Sequence, residues 1–340
     1  MAFALDYVLP MGIRRVQQDA PKYEALGFDG LWTTESQSDP FVDLTAAALN
    51  SERATLGTNV AIAFARSPFT TAMVAYELQS ASGGRFICGL GTQVKGHITR
   101  RFGMPWESPG PKLREYVQAM RAIWTGWQEG KSPDFRGKFY THTISTPFFA
   151  HPPIDVPPPE IWIAAVNEYN AETVGVCCDG LLVHPVHSTR YLDEVLFPAI
   201  DKGLAKSGRA RSDIKLQCPV FLVVGKTPEE REQGAGFVRA QIGFYGSTRT
   251  YRRIFETHGW EGTPGRLHAK MASGDIAGMA DEITDEMLEE FAITGDPDDV
   301  VDKVKARYGG VADRIYFYNL FASPFSDEGR LRELVNALAA

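Results

Sequence analysis

Short apolar runs alternate along the chain with longer stretches whose apolar positions recur every three or four residues. The runs have the character of strands covered on both faces, and the longer stretches that of amphipathic helices laid against them. Apolar runs fall at residues 3–8 (FALDYV), 30–34 (GLWTT), 55–61 (TLGTNVA), 86–90 (FICGL), 160–165 (EIWIAA), 179–183 (DGLLV), 215–224 (KLQCPVFLVV) and 313–319 (DRIYFYN). Helical spacing is seen at 14–26, 41–51, 68–82, 112–128, 170–176 and 189–207. Pro68 suits a first helical turn, while Gly27 and the Gly83–Gly84 pair suit helix ends. Strand and helix in regular alternation predict a parallel sheet with crossover helices, and eight such units close most simply into a (β/α)8 barrel.

Two stretches interrupt the rhythm. Residues 131–159, rich in proline and aromatics, read as a loop insertion after the fourth helix, with a hairpin around FRGKFYTH. Residues 226–311 make one strand-to-strand connection with three helical stretches, EEREQGAGFVRAQIGFYG, DEITDEMLEEF and PDDVVDKVKARY. That is too long for one crossover helix, so 226–290 is expected to form a helical insertion over the barrel mouth. The expected organisation is a single α/β domain over 1–340, a TIM barrel with insertions after helix 4 and between strands 7 and 8.

Composition narrows the partners. With 44% hydrophobic and 23% charged residues the chain is ordinary globular material. Its net charge of −7 disfavours nucleic acid, since phosphate neutralisation needs clustered Lys and Arg. The N-terminal MAFALDYVL lacks a basic start and a signal-peptide core, and no apolar stretch is long enough to span a bilayer, so a cytoplasmic protein without membrane association is expected. Cys88, Cys177, Cys178 and Cys218 form no CxxC pair and read as reduced thiols. His184 and His187 lack cysteine or carboxylate at ligand spacing, so no metal site is expected.

In such barrels chemistry sits at the C-terminal strand ends. The second strand runs into Thr33, Thr34, Glu35 and Ser36, and the third into Asn59 and, further on, Arg66. SGGRFICGLGTQVKGH places Gly89, Gly91 and Thr92 at the fourth strand end, ahead of Gln93, Lys95 and His97. It is not a dinucleotide GxGxxG, because no helix opens at once and Gly96 is out of register. Asn167, Asn170, His184, His187, Ser188 and Arg190 precede helices after the fifth and sixth strands, where free N–H groups and a nearby cation could cradle a phosphate. With no GxSxG, HExxH or Walker loop, chemistry carried by a bound cofactor fits best.

On GFDGLWTTES, the stretch from Leu56 to His97, LREYVQAMRAIW, IWIAA, GVCCDG, IGFYGSTRTY and FAITGDPDDVVDKVKARYGGVADRI, the sequence resembles the luciferase-like monooxygenase superfamily, and most of all its coenzyme F420-dependent oxidoreductases of actinobacteria. The resemblance implies a TIM barrel with a deazaflavin or flavin ring at the strand ends. It implies a non-proline cis peptide at Asn59–Val60 or Val60–Ala61. It implies cofactor contacts at Asn59, Val60, Ala61, Gly91, Thr92, Gln93, His97, Ala165, Val166, Asn167 and His184, although relatives often carry paired glycines where this chain has Val166 and Asn167. Glu35 is expected to orient or protonate the substrate. Trp32, Phe64, Trp106 and Tyr245 are expected to shape an apolar pocket. Glu35–Ser36 stands where related sugar-phosphate dehydrogenases place an acid and a catalytic histidine, which argues against that activity.

The expected function is F420-dependent hydride transfer to or from a small apolar organic molecule, in a homodimer or larger homo-oligomer. An FMNH2-dependent monooxygenase, with FMN as cofactor, is the alternative. A non-catalytic flavin-binding protein on the same barrel is a second.

Overall fold

The computed structural model of the chain describes residues 3–339. Eight parallel strands, β1 (Ala4–Val8), β2 (Gly30–Thr33), β3 (Thr55–Thr58), β4 (Phe86–Gly91), β5 (Glu160–Ala165), β6 (Gly180–Val183), β7 (Lys215–Val224) and β8 (Arg314–Phe317), pair in sequence order. β8 returns to β1 with Leu5 opposite Ile315, which closes the TIM barrel. Each of the eight apolar runs in the sequence is one of these strands.

Two strand details differ from the sequence pattern. The run 55–61 is broken: β3 stops at Thr58, the Asn59–Val60 peptide is cis, and Ala61–Ile62 pairs afresh with Leu90 and Gly91 of β4. β7 rises above the barrel rim, where Phe221–Val224 pairs with an accessory strand, Ala292–Gly295. The connection from β7 to β8 holds helices Pro228–Gly246, Arg252–Thr257, Thr263–Ser273, Ile276–Asp281, Asp285–Phe291 and Val300–Tyr308: the three expected stretches, the first at full length, and three more. Phe135–Arg136 and Thr141–His142 form the antiparallel hairpin of the earlier insertion.

Local chemistry sets the element ends. Ser67 Oγ accepts from Thr70 N–H and Pro68 fills the first turn, so the crossover helix Pro68–Ala81 starts sharply after the site-bearing loop. No helix among the described residues is long and apolar enough to cross a membrane.

Alternate strand residues point inward, and the interior divides into an aromatic half and a polar half. Trp32 and Trp162, with ring centroids 5.9 Å apart, pack with Ile87 and Leu182. Room for them comes from glycine on the neighbouring strand: Gly57 lies opposite Trp32 and Gly180 opposite Trp162, and a Cβ at either would stand 2.3 Å from the indole. Each buried indole contributes roughly 4–6 kcal/mol of transfer free energy. In the polar half, Arg314 Nε donates to Asp6 Oδ2 at 2.9 Å and Gln217 Nε2 donates to the same oxygen. Burial pushes the Asp6 carboxyl upward, against the Arg314 guanidinium and the Gln217 amide that favour its charged form.

Candidate active site

At the end of β3, inward-facing Asn59 joins the polar half of the interior. Its Nδ2 donates to Gln217 Oε1 at 2.8 Å, and its backbone N–H donates to Thr33 O at 2.7 Å. Because Gln217 spends its Nε2 on Asp6, its Oε1 must accept, which fixes the orientation of the Asn59 amide. Val60, next in the chain, is half-buried and stands directly over Gly91: a Cβ there would be 2.7 Å from Val60 Cγ2. A Cβ on Gly89 would be 1.8 Å from Thr58 O. The glycines of GLG are thus required by the chain's own turn after β3. Their absent side chains leave Val60 as an apolar step at the rim, while Ala61 is buried.

Glu35 braces this step from outside. Its Oε2 accepts from Ile62 N–H and from Arg66 Nη1, both at 2.7 Å, and the side chain is only 6% exposed. Arg66 Nη2 also bonds Asp39 Oδ2 at 2.6 Å. The carboxylate expected to meet substrate is therefore committed to holding Ala61–Ala65 in place.

The β4 end turns sharply. Gln93 has φ 58°, in the left-handed region, and its Oε1 accepts from Val94 N–H at 2.9 Å, while Thr92 Oγ1 donates to Gln93 O at 3.0 Å. The Thr92 hydroxyl is thus turned to its own loop. His97 lies in the short helix Lys95–Arg100 with an exposed side chain.

At β5, Ala165 is buried and Val166 O accepts from Tyr191 OH at 2.9 Å. Asn167 caps the helix Glu168–Cys177, its Oδ1 accepting from Asn170 N–H at 2.9 Å. That cap leaves the first N–H groups of the helix, at Glu168 and Tyr169, without protein partners among the described residues. These can take an anionic group.

His184, expected at the phosphate end, follows Val183, which pairs with Ala165 in register. Its ring is 4.4 Å from both Tyr245 and Tyr251, and Tyr245 OH is 3.3 Å from Tyr318 OH. Burial, with His187 nearby, holds its pKa at about 3, and burial takes His187 to about 4. Neither imidazole brings a positive charge to a phosphate at neutral pH.

Two expected pocket residues meet: Phe64 packs edge-on against Trp106, with centroids 5.9 Å apart. Lys112, not singled out in the sequence, lies 5.6 Å from the Phe64 ring and 6.0 Å from that of Tyr140, with a 3.3 Å contact to Glu107. Tyr245 packs instead against His184, which follows β6, and meets Tyr318, which follows β8. Trp32 requires a correction. It is fully buried in the barrel interior, and a Cβ on Gly30 would be 2.9 Å from its Nε1 and 2.2 Å from Asp6 Oδ1, so the indole N–H sits deep beside the Asp6 network and Trp32 forms no pocket wall.

Gln217, Asp6, Tyr251 and Tyr318 were also missed. Tyr318 lies inside the last apolar run, though it directly follows β8, and Gln217 is a polar residue inside another run. A cavity of about 700 Å³ is lined by Thr189, Glu289, Ile293, Thr294, Lys303, Ala306, Arg307 and Val311, and none of the expected site residues borders it.

Comparison with known proteins agrees with this architecture. The family model described as luciferase-like monooxygenase matches residues 4–314. An uncharacterized protein of Mycobacterium tuberculosis is 45% identical over 311 residues, covering 92% of each chain. A 5,10-methylenetetrahydromethanopterin reductase of Archaeoglobus fulgidus is 29% identical over 312 residues, covering 89% of each. The structure of a coenzyme F420-dependent tetrahydromethanopterin reductase from Methanopyrus kandleri superposes with a TM-score of 0.76 at 21% identity, over 98% of this chain and 96% of that one.

Proposed function

The chain belongs to the luciferase-like monooxygenase family of F420- and flavin-dependent oxidoreductases, and from that premise we propose that it uses coenzyme F420 to move a hydride to or from a small organic substrate. When bound, the deazaflavin gives or takes the hydride. The observation that carries the reading is the Val60 step, seated on Gly91, tied to the interior through Asn59–Gln217 and braced by Glu35. A rigid apolar step on a barrel rim suits one face of a planar ring, because a preorganised surface loses little freedom on binding. The residues present fit such a ring: Asn59 and Val60 would back it, the Gly91–Gln93 turn would border it, and the free N–H groups of Glu168 and Tyr169 would take its phosphate. His97, exposed beyond the turn, would meet its outer edge.

The residues do the rest without supplying a proton-transfer group of their own at Glu35. Glu35 positions Ile62 and Arg66. Phe64 and Trp106 on one side, with Tyr245 and Tyr318 on the other, exclude water and give a small molecule apolar walls. The F420-dependent name of the Methanopyrus kandleri neighbour supports the choice of deazaflavin, and the family's monooxygenase name keeps FMNH2-dependent oxygenation as the second reading. Exposed Val42, Leu49 and Met73 on the helices Pro40–Leu49 and Pro68–Ala81 support a homo-oligomer. Oxygen electrode traces during turnover separate the readings: hydride transfer through the deazaflavin consumes no oxygen, whereas oxygen uptake matched to product overturns it.

A further inference from the structure

The cavity of about 700 Å³ between the accessory strand Ala292–Gly295 and the helix Val300–Tyr308 borders none of the residues assigned to cofactor or substrate. On its wall, Arg307 Nη1 donates to Glu290 O at 3.3 Å and to Ala292 O at 2.8 Å, and Nη2 donates to Glu289 O at 2.9 Å. These carbonyls end the helix Asp285–Phe291, so they pin the guanidinium and fix its plane. A guanidinium carries five N–H hydrogens, and here Nε–H and one hydrogen on Nη2 have no hydrogen bond among the described residues. Nε and Nη2 share one edge of the planar group, the kind of edge that grips a carboxylate through two parallel bonds. Among the described residues Arg307 is in no ion pair, whereas Lys303, one turn earlier, has Asp299 at 3.7 Å and donates to Thr294 O at 2.8 Å.

Lys303 and Arg307 stand four residues apart on one helix and line the same space, where Glu289 is the one acidic side chain. Two cations against one carboxylate leave a single positive charge, which suits a monoanion and disfavours a phosphate dianion. Ile293, Ala306 and Val311 make the rest of the wall apolar. We infer that this cavity is a second binding site, for a small organic monocarboxylate whose carboxylate takes the free edge of Arg307 and whose apolar body lies along Ile293, Ala306 and Val311. The volume is that of a small-molecule site and far exceeds the needs of a bare carboxylate, so the apolar body is part of what is recognised. Its walls come from Thr189 after β6, from the strand beside β7 and from the helix before β8. A ligand held there ties the long insertion to the barrel.

The test titrates the full chain, its isoleucine and valine methyl groups labelled with ¹³C, with octanoate, 1-octanol and inorganic phosphate in parallel. Octanoate should bind with a Kd of about 0.1 mM or tighter, about tenfold or more tighter than 1-octanol, and should move the Ile293 and Val311 methyl resonances. Phosphate should bind more weakly than octanoate. Arg307→Lys keeps the charge and loses the two-bond edge, so octanoate affinity should fall about tenfold. Because Arg307 also holds a helix end, two further variants leave that contact alone. Ala306→Phe, which fills the apolar wall from an exposed position, should abolish octanoate binding, and Lys303→Gln should weaken it about threefold. Unmoved Ile293 and Val311 methyls, equal affinity for octanoate and 1-octanol, tighter binding of phosphate, or an Ala306→Phe protein that binds octanoate like the parent overturns the assignment. So does competition between octanoate and the deazaflavin, which would put the carboxylate in the mouth.

Discussion

Asn59 donates its side-chain amide to Gln217 across the barrel, from the end of β3 to the third residue of β7, at 2.8 Å. The contact joins the rim to the buried Arg314–Asp6 pair, because Gln217 spends its other amide group on Asp6. Gln217→Leu keeps the size of the side chain but leaves Asn59 Nδ2 without a partner and Asp6 Oδ2 with Arg314 Nε alone. Urea denaturation should show a loss of about 1–3 kcal/mol, the cost of an unsatisfied buried polar group and a weakened one beside a charge. Deazaflavin affinity should fall with it, and a Gln217→Leu protein that binds as tightly as the parent would separate the network from the rim.

Glu35 is a brace, so its two substitutions should differ in degree only. Glu35→Gln can still accept from Ile62 N–H but loses the charge facing Arg66, and Glu35→Ala loses both. Deazaflavin affinity should fall about threefold for the first and about tenfold for the second, the latter worth about 1.4 kcal/mol. Steady-state kinetics should show an unchanged pH profile of kcat in both. Loss of one limb of that profile with a fall of a hundredfold or more in kcat would return Glu35 to proton transfer.

The two glycines of the β4 end should respond unequally to alanine. At Gly89 the added Cβ meets a backbone carbonyl at 1.8 Å, which cannot retreat without moving β3. At Gly91 it meets the end of the Val60 side chain at 2.7 Å, which can turn away. Gly89→Ala should be the more destabilised, by about 3 kcal/mol or more, and Gly91→Ala by about 1–2 kcal/mol. Calorimetry and a cofactor titration together check this: Gly91→Ala should lose affinity out of proportion to its stability, because the displaced group is the step itself.

Acid should weaken the fold in a window set by the histidines. His187, buried, has its pKa taken to about 4 by burial, below the unfolded value of about 6.5. Between those values the unfolded chain binds the proton that the folded chain refuses. Stability is therefore complete above pH 6.5 and falls as pH drops toward 4, at about 1.4 kcal/mol per pH unit for this one group. His184 acts in the same direction, by the same burial, down to about 3. Glu172, held at about 2 by Lys206, Lys202 and Arg114, weakens the fold only below its ordinary range near 4.5. Chemical denaturation from pH 7.5 to 4.5 should give a slope that His187→Asn reduces by one proton's worth. An unchanged slope contradicts the buried neutral ring.

The barrel was legible because parallel strands covered on both faces leave continuous apolar runs, and all eight did. What failed were places where a neighbour, not the local pattern, decides. Ala292–Gly295 is a strand because the overlong β7 offers an unpaired edge, and its few apolar residues are continuous with the helix before it. Trp32 reads as a pocket residue from its place near a strand end, yet register puts it opposite Gly57 and inside the barrel. A large aromatic facing a strand glycine in register is the signal that was available. Glu35 was rightly seen at a strand end, but its partners, Ile62 and Arg66, lie on another βα unit and no spacing joins them. His184 was seen at a strand end, but the tyrosines that surround it come from residues 245 and 251 in the long connection after β7, which no local spacing joins to it.

The account turns on which cofactor the Val60 step receives. The most direct measurement is a fluorescence titration of the purified apo protein with coenzyme F420 and, side by side, with FMN. Micromolar or tighter binding of F420 with FMN at least tenfold weaker is the predicted result, and Gly91→Ala should lower the F420 affinity. A preference for FMN contradicts the deazaflavin assignment and makes oxygen-dependent chemistry the leading reading, and binding of neither contradicts the cofactor role of the rim altogether.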